Sequence, residues 1–277
     1  MIGAAYAMSK YGPGYGPTQP SSSSDMPAII QKVAIIDFDI HHGNGSEDII
    51  RGLLPHTENY PLPSSWAPMS YTAYKPFRDT NDRENIFFSS IHLYDGEEFY
   101  PGGGKGPCGD TVELSSNPNV INVPLEMLGP KYIEQRSKLS VKVRKTYMQE
   151  ASRIFRHNVA TKVLPALRTF APDLILLSSG FDGHADDFYY YLTEDDYEWI
   201  TNEIQAIADE SADGRLISVL EGGYAISTAA PLIQRRKSSN TSLAAEIHKR
   251  PVRTVDSTYG ALARSVAAHV DALIGKT

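Results

Sequence analysis

Residues 33–45 are Val-Ala-Ile-Ile-Asp-Phe-Asp-Ile-His-His-Gly-Asn-Gly, an apolar run that passes into carboxylates and imidazoles. Short apolar runs rich in β-branched residues are typical of strands buried on both faces, as in a parallel sheet. They predict strands at Val33–Ile40, Ile86–Leu93, Leu174–Ser178 and Leu216–Leu220, with a weaker candidate at Val120–Val123. Because helical patterns lie between and after these runs, the chain is predicted to be an α/β protein, with a mostly parallel sheet flanked by helices.

Three stretches show the apolar spacing of amphipathic helices. They are residues 146–170, a stretch that begins at Thr193, and residues 258–274. Thr193 is a favourable N-cap. Asp195 and Asp196 follow in the first turn, where the helix dipole favours negative charge.

The segments between these patterns are predicted to be irregular. Residues 9–28 are rich in glycine, proline and serine, as expected of a flexible surface loop. Residues 51–84, rich in proline and tyrosine, are expected to form an insertion loop, and residues 231–257 an irregular stretch before the C-terminal helix. The length of 277 residues fits a single domain over 1–277.

Composition excludes several classes of protein. Hydrophobic residues make up 41% and charged residues 21%, which argues against wholesale disorder. With one cysteine, Cys108, the chain can form neither an internal disulfide nor a cysteine-based zinc cluster. The formal net charge of −7 disfavours direct nucleic-acid binding, and no apolar run is long enough to cross a membrane.

Polar residues appear where each of the four clear apolar runs ends. These tails are Asp-Phe-Asp-Ile-His-His-Gly-Asn-Gly (37–45), Ser-Ser-Ile-His (89–92), Ser-Ser-Gly-Phe-Asp-Gly-His (178–184) and Glu-Gly-Gly-Tyr (221–224). Ligands of open α/β sheets bind at the carboxyl ends of the strands. Four polar clusters placed alike therefore predict one shared site.

The first tail indicates a metal site. Alternate side chains of a strand face the same way, so Asp37, Asp39 and His41 are expected on one side. Asp39 and His41 supply two ligands, and Asp182 completes a three-ligand site open to water, as a hydrolytic zinc requires. The same donors suit Fe(II). The alternative is that these are hydrogen-bonded loop residues that hold no metal.

Taken together, these motifs resemble the histone deacetylase family, within the arginase/deacetylase superfamily. The resemblance rests on residues 37–45, on Ser-Ser-Ile-His-Leu-Tyr-Asp-Gly-Glu-Glu-Phe-Tyr-Pro-Gly-Gly-Gly (89–104), on Ser-Gly-Phe-Asp-Gly-His (179–184) and on Leu-Glu-Gly-Gly-Tyr (220–224). The last two forms look more like the class II branch. The resemblance covers roughly residues 1–230 and implies a three-layer α/β fold.

Carried over by position, the resemblance implies a role for each motif residue. Zinc would be held by Asp39, His41 and Asp182, and Tyr224 would hydrogen-bond the amide carbonyl and its oxyanion. The remaining residues implied to bind substrate are Phe99 and Tyr100, which would line an aromatic tunnel, and Gly222 and Gly223, which would let the backbone approach the substrate.

The resemblance also implies a potassium ion near the zinc. Its ligands would be Asp37, Ser90 and Ile91, with backbone oxygens of the zinc-binding strand. His42 is expected beside the metal ligands. Asn44 stands where some family members carry a carboxylate that orients a histidine.

One part of the family pattern is not found in this sequence. The family's general acid–base pair is a His-His motif upstream of the first metal strand, and none of the eight histidines here precedes His41. We therefore expect the first part of the domain to be missing, so that the chain is a partial deacetylase domain.

The resemblance implies a zinc-dependent hydrolase that removes acetyl groups from lysine side chains of histones or other proteins. Such an enzyme would act in transcription regulation, in the nucleus or the cytoplasm, with corepressor-type protein partners. One alternative is a catalytically incomplete deacetylase-like fragment, and another is a small-molecule amidohydrolase of the acetylpolyamine type. A binuclear manganese ureohydrolase is disfavoured because the carboxylates at these positions suffice for only one metal ion.

Overall fold

The structure, a computed structural model, describes most of the chain. The described residues are 1–14, 29–60, 62–63, 66–67, 69–95, 99–101, 117–130, 133–226 and 259–275. Most of the loop predicted at 9–28 and all of the segment predicted to be irregular at 231–257 lie outside them. The first helix, α1 (Ile2–Tyr11), takes in the first residues of that predicted loop.

Parallel strands form the centre of the described fold. The strands are β1 (Val33–Asp37), β2 (His56–Tyr60), β3 (Met69–Ala73), β4 (Ile86–Tyr94), β5 (Val120–Glu126), β6 (Leu174–Ser179) and β7 (Leu216–Leu220). All except β2 and β3 belong to one sheet in the order β5-β4-β1-β6-β7, and every pairing in it is parallel. This confirms the predicted α/β class and the predicted strands.

The central strand β1 ends earlier than predicted. Asp37 lies in register with Ser90 of β4 on one side and with Ser178 of β6 on the other. Beyond Asp37 the side chains bond the backbone, since Asp37 Oδ1 accepts the N–H of Asp39 at 3.1 Å and Asp39 Oδ1 accepts the N–H of His41 at 2.8 Å. These local bonds compete with the regular strand ladder, and only single backbone bonds to the neighbouring strands remain, such as the Leu93 N–H on the carbonyl of Ile40 at 2.8 Å.

Helices cover both faces of the sheet, so the fold has three layers. The remaining helices are α2 (Asn44–Arg51), α3 (Ile133–Arg136), α4 (Val141–Asn158), α5 (Leu164–Phe170), α6 (Glu194–Ser211) and α7 (Ala261–Leu273). On one face, Ala4 and Met8 of α1 pack on Val33 and Phe88. On the other face, α4 to α7 bury a larger apolar cluster against the sheet. The strands β1, β4 and β6 are therefore buried on both sides, as their apolar composition requires, whereas β7 at the edge of the sheet is largely exposed.

Two helix predictions differ in their outcome. The helix expected at 146–170 is α4 and α5, joined by a π-helical turn at Val159–Val163. Pro165 has no N–H to donate to the preceding turn, which accounts for the break at this place. The helix expected at Thr193 begins there, because Asp196 Oδ2 accepts the Thr193 N–H at 3.0 Å.

The segment expected to be an insertion loop, residues 51–84, contains regular structure. β2 and β3 pair as an antiparallel hairpin, with His56 opposite Ala73, and a 3₁₀ turn follows at Asp82–Asn85. Across the hairpin, Tyr71 donates from its hydroxyl to Glu58 at 3.1 Å. The two strands contain residue types of high strand propensity, namely Thr57, Tyr60, Tyr71 and Thr72. No helix of the described residues is long and apolar enough to cross a bilayer.

Candidate metal centre and active site

The carboxyl ends of β1, β6 and β7 meet at one edge of the sheet. The chain leaving β1 carries Asp39 and His41, and the chain leaving β6 carries Asp182. The chain leaving β7 carries Gly222 and Tyr224. Parallel strands place all their carboxyl ends at one edge, which brings together residues from three distant parts of the sequence.

Asp39, His41 and Asp182 converge on one point. Nδ1 of His41 lies 2.9 Å from Oδ1 of Asp39 and 3.1 Å from Oδ2 of Asp182, and the three candidate ligand atoms lie within 4.8 Å of one another. Asp182 also fixes the first turn, because its Oδ1 accepts the N–H of Ile40 at 3.2 Å. The arrangement presents two carboxylates and an imidazole to a single small volume.

The electrostatics of this centre suit a divalent cation. Burial, together with the charge of Asp39, raises the pKa of Asp182, although the contact of its Oδ2 with Nδ1 of His41 acts in the opposite direction. Burial and the charges of Glu221 and Asp39 raise the pKa of Asp37. Burial lowers the pKa of His41, but Asp182 and Asp39 outweigh it and raise that pKa to about 9. Carboxylates held this close stabilise positive charge, and the three side chains could hold a metal ion.

Two glycines lack the side-chain atoms that would collide with the carboxylates. A Cβ on Gly222 would overlap Oδ2 of Asp39 and would lie 2.9 Å from Oδ2 of Asp182. A Cβ on Gly180 would overlap the same carboxylate of Asp39. Gly223 adopts φ +125°, a conformation that favours glycine. The sequence analysis named Gly222 and Gly223 but not Gly180.

Aromatic side chains surround His41. Phe99 stacks face to face on its imidazole, with centroids 5.0 Å apart and planes at 7°. Tyr100 meets the ring edge-on at 6.0 Å and is 73% exposed. Tyr189, which the sequence analysis missed, lies 4.9 Å from His41 and 5.3 Å from Phe99. The aromatic run Phe-Tyr-Tyr-Tyr at 188–191 was the available signal.

Tyr224 stands at the rim of the centre. Its side chain is 48% exposed, and its ring lies 6.1 Å from that of Phe188. Partial burial and the negative charges of Asp182 and Asp39 raise the pKa of Tyr224, so its hydroxyl stays protonated and can donate a hydrogen bond. Its backbone N–H donates to Oδ2 of Asp187 at 2.7 Å, a contact that the sequence did not predict.

The residues expected around a potassium ion lie behind the metal centre. Asp37 and Ser90 are buried opposite each other on adjacent strands, and Ile91 follows within β4. The hydroxyl of Ser90 accepts the N–H of Gly43 at 3.2 Å and lies 2.9 Å from Nδ1 of His92. The polar groups of Asp37 and Ser90 are thus engaged with protein partners.

His42 and Asn44 have separate surroundings. Nε2 of His42 lies 2.8 Å from Glu47, which also accepts from Asn122 at 2.9 Å, and the rings of His42 and His92 are 4.6 Å apart. Burial, with the nearby His42, lowers the pKa of His92 to about 3. Asn44 is exposed at the start of α2, so the carboxylate that pairs with a histidine here is Glu47.

A second cavity opens on the α1 face of the sheet. Its volume is about 1160 Å³, and it reaches Asp37 and Glu221 at the strand ends. Tyr6 of α1 and Ile217 and Val219 of β7 line it, and all three side chains are more than half exposed. This side of β6 and β7 is therefore less well covered than the opposite side.

Comparisons with known proteins point to one family. Residues 26–236 match the family model described as the histone deacetylase domain. The chain is 31% identical over 242 residues to "Type-2 histone deacetylase 2" of Dictyostelium discoideum, covering 86% of this chain and 11% of that protein. It is 30% identical over 197 residues to the "Histone deacetylase-like amidohydrolase" of Pseudomonas aeruginosa, covering 70% of this chain and 37% of that protein.

The chain spans a small part of the curated relatives it matches, since it also covers 15% of "Type-2 histone deacetylase 1" of Dictyostelium discoideum at 28% identity. Among solved structures, it is similar to the HDA15 HD domain, with a TM-score of 0.49 and 19% identity over 90% of this chain and 46% of that one. It is similar to the histone deacetylase Clr3 with a TM-score of 0.48 and 22% identity, covering 90% of this chain and 27% of that one.

Proposed function

The chain belongs to the histone deacetylase family, and we propose that it is a zinc-dependent hydrolase that removes acetyl groups from lysine side chains of histones or other proteins. The observation that carries the proposal is the convergence of Asp39, His41 and Asp182 at the ends of two neighbouring strands. Two carboxylates and one imidazole form a ligand set that leaves coordination positions for water and substrate.

The residues present fit a zinc ion. The buried carboxylate of Asp182 lies beside that of Asp39, with Nδ1 of His41 3.1 Å from its Oδ2, and a cation would stabilise these two negative charges together. When bound, zinc supplies Lewis-acid polarisation of a carbonyl and activation of water. The same three ligands accept Fe(II), so metal analysis of the purified chain decides the identity. We also propose potassium at Asp37, Ser90 and Ile91.

The surrounding side chains suit an acetyl-lysine. Phe99 and Tyr189 stand against His41 as apolar walls, and Tyr100 extends the wall toward solvent. Such walls bind the methylene stem of lysine. At the rim of the metal centre, the hydroxyl of Tyr224 would donate to the carbonyl oxygen and more strongly to the developing oxyanion.

The acid–base step is where this chain departs from the family pattern. No histidine precedes His41 in this sequence, and Nε2 of His42 pairs with the carboxylate of Glu47 at 2.8 Å. The chain as given therefore carries the groups that polarise an amide but not the family's His-His pair. A catalytically incomplete deacetylase-like fragment is accordingly the second candidate.

A small-molecule amidohydrolase is a third candidate. It is favoured by the similarity to the protein named "Histone deacetylase-like amidohydrolase" in Pseudomonas aeruginosa. For the deacetylase we propose action in the nucleus or the cytoplasm, with corepressor-type protein partners. Family membership supports both proposals.

The test is acetate release by the zinc-loaded chain from an acetyl-lysine peptide and from an acetylated small amine. Zinc-dependent release from the peptide that is lost in Asp182→Asn supports the deacetylase. Release from the small amine alone supports the amidohydrolase. Zinc binding with no release from either substrate supports the incomplete fragment. Asp213→Asn is the matched control, because Asp213 is exposed and adopts φ +48°, which asparagine tolerates.

A further inference from the structure

Asp187 is a buried carboxylate without a cationic side chain as its hydrogen-bond partner among the described residues. It is 3% exposed. Its Oδ2 accepts the backbone N–H of Tyr224 at 2.7 Å and that of Ala225 at 2.9 Å, and its Oδ1 accepts the N–H of Phe188 at 2.8 Å. Three backbone donors thus satisfy one buried charge. Two of them belong to the turn that carries Tyr224.

Apart from Asp187, that turn is held by backbone hydrogen bonds, one of which runs from the Phe181 N–H to the carbonyl of Gly222 at 3.0 Å. At the start of the turn, the Glu221 N–H donates a hydrogen bond to the carbonyl of Ser179 at 3.0 Å. At its end, the carbonyl of Ala225 accepts a hydrogen bond from the Leu262 N–H at 3.1 Å. Between these points the chain passes through two glycines, whose backbone is conformationally permissive. Asp187 supplies the acceptors for the N–H groups of Tyr224 and Ala225, where the direction of the Tyr224 side chain is set.

Asp187 itself sits in a well-held loop. Its N–H donates to the carbonyl of His184 at 2.9 Å. Arg264 binds the neighbouring Asp186 at 2.7 Å, and Arg144 donates to the carbonyl of Ala185 at 2.7 Å. Because Asp187 is fixed within its own loop, its carboxylate also restrains the turn that it binds.

The same loop also contacts the metal centre. Phe188 lies against the ring of Tyr224, and Tyr189 lies 4.9 Å from His41. Three consecutive residues therefore touch the turn, the ring of Tyr224 and a candidate metal ligand. The loop thus links the turn that carries Tyr224 to the candidate metal ligand His41.

We propose that Asp187 is a positioning residue, whose carboxylate fixes the Gly222–Ala225 turn and so holds the Tyr224 hydroxyl over the metal centre. The proposal rests on the proposed function, in which Tyr224 donates to the substrate oxygen. Asp187 touches neither substrate nor metal and acts through the backbone of Tyr224.

The first arm of the test needs no metal. Amide hydrogen exchange of Tyr224 and Ala225 is compared between the wild-type chain, Asp187→Asn and Asp187→Ala. We expect exchange at these two amides to rise at least tenfold in Asp187→Ala and less in Asp187→Asn, which keeps one acceptor oxygen. Protection in β7 should stay unchanged, which separates loss of the anchor from unfolding. Unchanged exchange at Tyr224 and Ala225 in Asp187→Ala overturns the proposal.

The second arm uses a phenyl hydroxamate as probe on the zinc-loaded chain, with affinity measured by calorimetry. Tyr224→Phe should weaken binding about tenfold, and Asp187→Ala three- to tenfold. In the Tyr224→Phe background, Asp187→Ala should add no further loss, because its effect passes through the hydroxyl. If Asp187→Ala weakens hydroxamate binding equally in the wild-type and the Tyr224→Phe backgrounds, the proposal is overturned. A chain that binds no zinc contradicts the proposed function alone, since the exchange arm still decides the role of Asp187.

Discussion

Asp39 and His41 are joined twice, through the backbone and through the side chains. Oδ1 of Asp39 accepts the N–H of His41 at 2.8 Å and also lies 2.9 Å from its Nδ1. The turn that ends β1 and the geometry of the candidate metal ligands are thus one local structure. A substitution that removes the Asp39 carboxylate therefore disturbs both the chain path and the ligand set.

The first prediction concerns metal content. The purified chain should bind about one zinc ion, and Asp182→Asn should lower the affinity by two orders of magnitude or more, because the variant loses a charged ligand from a buried site. Equilibrium dialysis with elemental analysis measures both quantities. Asp213→Asn, an exposed carboxylate, should bind zinc as the wild type does. Equal zinc affinity in the wild type and Asp182→Asn would contradict the assignment.

The second prediction concerns the glycines at the strand ends. Gly222→Ala should destabilise the fold by roughly 2–4 kcal/mol, since its Cβ would overlap Oδ2 of Asp39 with little room to move. Gly45→Ala is the contrasting variant: no atom lies within 4 Å of its Cβ, and alanine in α2 should stabilise by about 0.5–1 kcal/mol. Urea unfolding compares the two. If Gly222→Ala left the free energy of unfolding unchanged, the strand end would have space for a Cβ that the structure does not show.

The third prediction concerns pH and His269. Burial lowers the pKa of His269 to about 4, and its ring nitrogens lie 2.7 Å from Thr201 and 2.8 Å from Ser218. Because the folded-state pKa lies below the ordinary value of 6.5, the contribution of His269 is present above pH 6.5 and is lost as the pH falls toward 4. The loss should be of the order of 2–3 kcal/mol.

The measurement is the difference in unfolding free energy between the wild type and His269→Gln from pH 7.5 to pH 4. Taking the difference removes the contribution of Asp37 and Asp182, whose raised pKa values act in the opposite direction. The difference should shrink steadily below pH 6.5. A difference that stays constant across this range would show that His269 does not titrate in the folded protein at these pH values.

The fourth prediction concerns the side of β7 that the described residues leave exposed. Ile217 and Val219 are 53% and 55% exposed and line the cavity beneath α1. Apolar surface on a sheet edge promotes self-association, so the chain should bind a hydrophobic dye and aggregate as concentration rises. Replacing both residues with threonine, which keeps strand propensity, should reduce dye binding and light scattering. Val141→Thr, at an isolated exposed position, should change neither signal.

The strands, and the convergence of the candidate metal ligands, could be predicted because their signals are local. Each apolar run lies on one strand, and the candidate ligands Asp39 and Asp182 follow such runs directly. Asp187 and Tyr189 were missed because their roles depend on how the loop after β6 folds back on a turn far away in sequence. The β2–β3 hairpin was missed because only one of its strand residues is buried, so its sequence shows no core-facing pattern.

The last prediction concerns catalysis and separates the enzyme from the incomplete fragment. In the zinc-loaded 277-residue chain, acetate release from an acetyl-lysine peptide should be slower by at least 10²–10⁴ than in a relative that carries the His-His pair, because no histidine precedes His41 to move the proton. Added imidazole, a free general base, should raise the rate in proportion to its concentration. Tyr224→Phe should then lower the imidazole-dependent rate by about 10²–10³, the loss typical of one oxyanion donor. Asp213→Asn should leave it unchanged. A rate that is fast without imidazole, or imidazole stimulation that survives Tyr224→Phe in full, would contradict this account of the site.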